Sequence, residues 1–141
     1  YLVNLKDKNM KNIFVTLFLL VVTMSSFAQD KFQLSTHILD ISKGQGAPNV
    51  LVQLEKKQNS SWIKVGESFT DQNGRIKDFL KMNQSNTGIY KLTFQVKPYF
   101  ENQKMNSFYP FIEVVFEIKD NEHYHVPITL SANGYSTYRG N

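Results

Sequence analysis

Gly88-Ile89-Tyr90-Lys91-Leu92-Thr93-Phe94-Gln95-Val96 is the stretch that decides the fold. On an extended chain Tyr90, Leu92, Phe94 and Val96 share one face, while Lys91, Thr93 and Gln95 share the other. That is the period of a β-strand with one face buried and one face wet. The same pattern recurs in Ile112, Val114, Phe116 and Ile118 against Glu113 and Glu117, and in Val50, Val52 and Leu54 against Gln53 and Glu55. Turn-forming residues stand between these runs: Asn73-Gly74, Ser85-Asn86-Thr87-Gly88, Lys119-Asp120-Asn121 and Ala132-Asn133-Gly134. Short alternating strands at this spacing predict an all-β, two-sheet sandwich. Only Lys97 to Met105 is suited to a short helix, with Pro98 in its first turn. Trp62, Phe94, Phe116 and the run Phe108-Tyr109-Pro110 read as scaffold.

The N-terminal part reads differently. Met10-Lys11-Asn12 opens an apolar run from Ile13 to Val22, and Ser26-Phe27-Ala28 precedes Gln29. A basic start, a short apolar stretch and small residues at the end describe a cleaved signal peptide. The run is short for a membrane span, which needs about 20 residues. The expected division is therefore residues 1–28 as upstream extension and signal peptide, with Tyr1 to Asn9 ahead of an initiator at Met10. Residues 29–141 form one domain. Export to a periplasm or extracellular space follows, with no membrane partner once processed. The chain has no cysteine, which excludes both a disulfide framework and a thiol nucleophile. Setting Lys6, Lys8, Lys11 and Asp7 aside from 16 basic and 12 acidic residues leaves 13 against 11, a net +2. Such a balance without a basic stripe does not suit nucleic acid.

Three histidines carry the chemistry. In the first strand Phe32, Leu34, Thr36 and Ile38 share the inner face, so His37 points outward. Val126, Ile128 and Leu130 take the inner face of a late strand, so His125 also points outward. The two could converge if their strands share a sheet. His123, two residues before His125, falls on the same face, and His-x-His with His37 would offer zinc three nitrogens. No carboxylate or cysteine completes a metal motif, so no metal is expected. No Gly-x-Ser-x-Gly elbow, phosphate loop or dinucleotide fingerprint is present. Arg75 follows the Asn73-Gly74 turn, where a side chain is presented rather than buried.

Several blocks resemble one family. His123-Tyr124-His125-Val126-Pro127 and Gly134-Tyr135-Ser136-Thr137-Tyr138-Arg139-Gly140-Asn141 are similar to the signature of the transthyretin-like family, in its 5-hydroxyisourate hydrolase branch. Leu34-Ser35-Thr36-His37-Ile38-Leu39-Asp40, Thr70-Asp71-Gln72-Asn73-Gly74-Arg75, Gly88 to Phe94 and Phe108 to Phe111 extend the likeness in colinear order. The resemblance implies a transthyretin-like sandwich whose first and last two strands share a sheet, its outer face lining a cleft between two dimers. It implies a homotetramer that hydrolyses 5-hydroxyisourate, a purine breakdown intermediate, without a cofactor. The product is 2-oxo-4-hydroxy-4-carboxy-5-ureidoimidazoline. His37, Arg75 and His125 would be catalytic, with one histidine as the base. His37, Arg75, Tyr138, Arg139 and Asn141 would bind substrate. A non-catalytic carrier of a small planar ligand is the alternative, although transthyretin itself lacks the matched histidines and terminal tetrapeptide.

Three departures from the family pattern stand out. Asn73 replaces an aspartate, which should keep the turn because both residues suit φ > 0. The Gly44-Gln45-Gly46-Ala47-Pro48 loop is spaced differently and is expected to lie far from the histidines. Asn141 replaces a terminal serine.

Overall fold

A computed structural model describes residues 31–82 and 85–141. The signal-peptide and export readings, and the boundary at residue 28, lie outside the described residues. Strand β1 (Phe32–Asp40) is followed by β2 (Gln45–Gly46), β3 (Leu51–Gln58), β4 (Ser61–Phe69), β5 (Arg75–Lys81) and β6 (Gly88–Phe94). Helix α1 (Val96–Glu101) leads to β7 (Ile112–Ile118), β8 (Tyr124–His125), β9 (Ile128–Ser131) and β10 (Gly134–Thr137). Two sheets result, as the alternation predicts. One runs β4-β3-β6-β7, antiparallel throughout. The other is built around β1, in the order β10-β9-β1-β2, with β5 and β8 also paired to β1.

The arrangement around β1 positions the site. Its first half pairs antiparallel with β5 on one side and parallel with β8 on the other. Its second half pairs with β2 and, in parallel, with β9. The first strand and the two last strands therefore share a sheet. Between β8 and β9 the ladder is broken at Val126-Pro127, because proline has no N–H to donate. The Thr36 hydroxyl instead donates to the Val126 carbonyl at 2.7 Å. The late strand is thus two short strands, though its inward residues Val126, Ile128 and Leu130 are buried as expected.

Between the sheets, Leu34, Ile38, Ile76, Ile128 and Leu130 meet Val52, Leu54, Tyr90, Leu92, Phe94 and Ile112. Full burial of each such side chain contributes about 1.5–3 kcal/mol. Leu92→Ala would leave a cavity here and cost about 2–5 kcal/mol. The helix starts one residue earlier than expected, because Val96 and Phe100 are its buried anchors. It ends at Glu101, where Lys104 turns into a left-handed conformation at φ 58°. Tyr99 donates its hydroxyl to Asp40 Oδ2 at 2.7 Å, tying the helix to the end of β1. Burial, then Asp40, pushes this hydroxyl up to about 12. Phe108 departs from the scaffold reading. It is 75% exposed, with its ring edge-on to Tyr109, which in turn meets Tyr135.

Candidate active site

His37 and Arg75 are direct cross-strand partners in the β1–β5 ladder, so their side chains leave the same face of the sheet. The turn before Arg75 explains its placement. Asp71 accepts the Gly74 N–H at its carbonyl, and its Oδ1 accepts the N–H groups of Asn73 and Arg75, all at 2.9 Å. The positive φ of this turn belongs to Gly74, at 75°, and not to Asn73. Asn73 is tolerated because its neighbours build the turn, a different reason from the one the sequence suggests. Gly46 packs against it so closely that a Cβ would sit 1.9 Å from the Asn73 carbonyl oxygen. A Cβ on Gly74 would sit 2.5 Å from the Ile38 carbonyl oxygen. The Gly44–Pro48 loop, expected to be remote, in fact buttresses the turn that carries Arg75, next door to His37.

His125 arrives from the other side of β1. In the parallel β1–β8 ladder its partner is Ser35, two residues from His37 and on the same face. The Ser35 hydroxyl lies 2.8 Å from His125 Nδ1 and 2.9 Å from His123 Nε2. His123 Nδ1 lies 3.0 Å from the Phe32 carbonyl oxygen. The β1–β5 register shifts on both sides of Leu34, and such irregularities re-aim side chains beside functional sites.

Ser35, His37, Arg75, His123 and His125 thus gather on one outer face. The sequence reading assigned no role to Ser35 and considered His123 only as a metal ligand. The His-x-His spacing, and the serine two residues before His37, were the available signals. Among the described residues, no group of three or more His, Cys, Asp or Glu side chains is placed to hold a metal ion.

Electrostatics favour neutral imidazoles. Burial comes first in holding His37 below the usual 6.5, and the Arg75 guanidinium adds to it. A hydrogen bond to the Asn73 backbone and the Asp71 carboxylate pull partly the other way. His125 is lowered by burial first, then by Arg75, His37 and His123. Arg75 therefore acts on both rings, and both histidines keep a free lone pair at neutral pH.

The tail splits into two parts. Gly140 forms a bridge with His125 and donates its N–H to the His125 carbonyl at 2.9 Å. Arg139 turns instead over the Tyr124 ring, 5.0 Å from its centroid. With the exposed Tyr138 it lines a cleft of about 320 Å³ together with Val115, Phe116 and Val126. Asn141 is exposed just beyond the bridge. Within one copy of the chain, His37, Arg75 and His125 come together. Tyr138 and Arg139 line the neighbouring cleft.

A β-sandwich of this topology, a four-stranded sheet packed on a six-stranded one, is of the transthyretin type. The HIUase/Transthyretin family profile matches residues 34–140. The chain belongs to that family. A probable 5-hydroxyisourate hydrolase of Caenorhabditis elegans is 41% identical over 137 residues, covering 94% of this chain and 98% of the relative. The 5-hydroxyisourate hydrolase of Salmonella dublin is 48% identical over 108 residues, covering 76% and 79%. Among solved structures, the Klebsiella pneumoniae 5-hydroxyisourate hydrolase aligns with a TM-score of 0.69 at 33% identity, over 78% of this chain and 99% of that one. Sea bream transthyretin in complex with thyroxine aligns at 0.73 and 30%, over 77% and 94%.

Proposed function

We propose that this chain hydrolyses 5-hydroxyisourate to 2-oxo-4-hydroxy-4-carboxy-5-ureidoimidazoline. The observation that carries the reading is the placing of His37, Arg75 and His125 on one outer face, with both imidazoles held below their usual pKa. A neutral imidazole accepts a proton from water as the oxygen adds to a ring carbonyl carbon. Arg75 holds the planar, oxygen-rich ring and stabilises the oxyanion that develops. The carbon–nitrogen bond then breaks, the ring nitrogen takes up the proton held by the imidazolium, and the new carboxylic acid loses its own proton to solvent as the carboxylate. Tyr138 and Asn141 contribute substrate contacts from the tail, and Arg139 would do so only by leaving the Tyr124 ring that it covers.

The same proposal includes assembly and location. Phe108, Tyr138, Val115 and Ile41 are each more than half exposed, apolar side chains open to contact between copies. A homotetramer would cover them and enclose the open histidine face. Export rests on the sequence of Met10 to Ala28. The experiment is spectroscopic: decay of freshly generated 5-hydroxyisourate with and without the protein. Acceleration supports the hydrolase. Saturable binding of a planar ligand without acceleration would favour a transthyretin-like carrier.

A further inference from the structure

We propose that Phe32, His123 and Ser35 form a one-way hydrogen-bond chain that holds His125 with its proton on Nδ1 and its lone pair on Nε2. Ser35 and His123 are then positioning residues for the base. The inference rests on the hydrolase reading only in making His125 that base.

Direction in the chain follows from what each atom can do. The Phe32 carbonyl oxygen can only accept, so the His123 nitrogen 3.0 Å away, Nδ1, carries a proton. A neutral His123 then has a lone pair on Nε2. The Ser35 hydroxyl, 2.9 Å from that nitrogen, donates to it. Having one proton to give, the same oxygen must accept at its other contact, 2.8 Å from His125 Nδ1. His125 therefore carries its proton on Nδ1. The remaining nitrogen, Nε2, is left with an unshared pair.

The chain selects the less common form. A free neutral imidazole side chain prefers its proton on Nε2, which would leave the outer nitrogen a donor and unable to take a proton from water. An orienting partner on the inner nitrogen is the general way to fix tautomer and ring direction. In this chain the partner is a nearly buried serine hydroxyl, itself oriented by a second histidine from the same segment. A backbone carbonyl ends the series. His37 has no place in it; it faces Arg75 across the β1–β5 ladder instead.

The tautomer can be read directly. In uniformly ¹⁵N-labelled full-length protein at neutral pH, long-range ¹H–¹⁵N correlation distinguishes protonated from unprotonated ring nitrogens. The wild type should show His125 as the Nδ1–H form. Ser35→Ala and His123→Ala should both shift it towards the Nε2–H form, while Ser35→Thr, which keeps the hydroxyl, should retain it. Turnover should follow, with kcat falling about ten- to a hundredfold in the two alanine variants, KM nearly unchanged, and recovery in Ser35→Thr. A wild-type His125 in the Nε2–H form would overturn the proposal. So would a Ser35→Ala protein that keeps both the Nδ1–H signature and full kcat. If the wild type shows the Nδ1–H form but no hydrolysis, the chain is upheld and the hydrolase reading alone is overturned.

Discussion

Gly140 lies against the His125 ring so closely that a Cβ would sit 2.4 Å from Cδ2. A side chain there is excluded by an imidazole, not by backbone strain, so the tail and the histidine are packed as one unit. Gly140→Ala should push the ring off its hydrogen bond to Ser35 and lower kcat/KM by about tenfold or more, since small misplacements of catalytic groups are costly. The melting temperature should barely move, because the tail is outside the core. Asn141, one residue on, is exposed. Asn141→Ser should change activity by no more than roughly tenfold, the scale of one neutral hydrogen bond. Steady-state hydrolysis by the two variants separates them, and equal effects would contradict this packing argument.

Alanine at His37, Arg75 or His125 should cut turnover by a factor of ~10² to 10⁴, the usual range for a general base. Stability should be nearly unchanged, because none of the three belongs to the core. Thermal melts run beside the assays distinguish this from a structural role. Three variants with near-full activity would refute the assignment.

The depressed histidines set the pH dependence. With both folded values below 6.5, the acid limb of kcat/KM should have its midpoint below 6.5. Arg75 repels either imidazolium, so Arg75→Ala should raise both titration midpoints towards 6.5, visible in the Cε1 proton shifts. The sign for stability follows from linkage. A histidine lowered on folding contributes stability that is fully present above its unfolded value of 6.5 and is lost as the pH falls through the folded one. Melting temperature should therefore decline on acidification below 6.5, and less so in a His37→Gln, His125→Gln double variant.

Assembly should be concentration-independent tetramer at working concentration in sedimentation. Phe108→Asp or Val115→Asp, each placing a charge on an exposed apolar side chain, should shift it to smaller species while leaving the fold intact. A fully active monomer would contradict a site shared between copies.

Export predicts processing. Protein recovered from the periplasm or medium should have lost the segment before about Gln29, shown by intact mass. Unprocessed chain in a membrane fraction would be the contrary result.

The strand faces were legible without coordinates because alternation is local. Leu92 must point opposite to Lys91 wherever the strand lies, and Val126, Ile128 and Leu130 must share the inner face even across the break at Pro127. The same logic turned His37 and His125 outward. The turn before Arg75 was found for a partly wrong reason, since Gly74 and not Asn73 supplies the left-handed conformation. The helix start moved by one residue because Val96 is buried as an anchor, while Pro98 keeps its place in the first turn.

By itself the sequence determined the sandwich, the outward direction of the histidines and the family to which the chain belongs. Each is written in short-range periodicity or in colinear motifs. Only the tertiary structure decided which distant residues touch. Ser35 meets His123 and His125 across 88 and 90 positions of chain. Gly46 backs the Arg75 turn, and Arg139 leaves the histidine face for the Tyr124 ring. Strand pairing over such separations depends on closing long loops around a common core, and local alternation fixes a residue's face but not its neighbour.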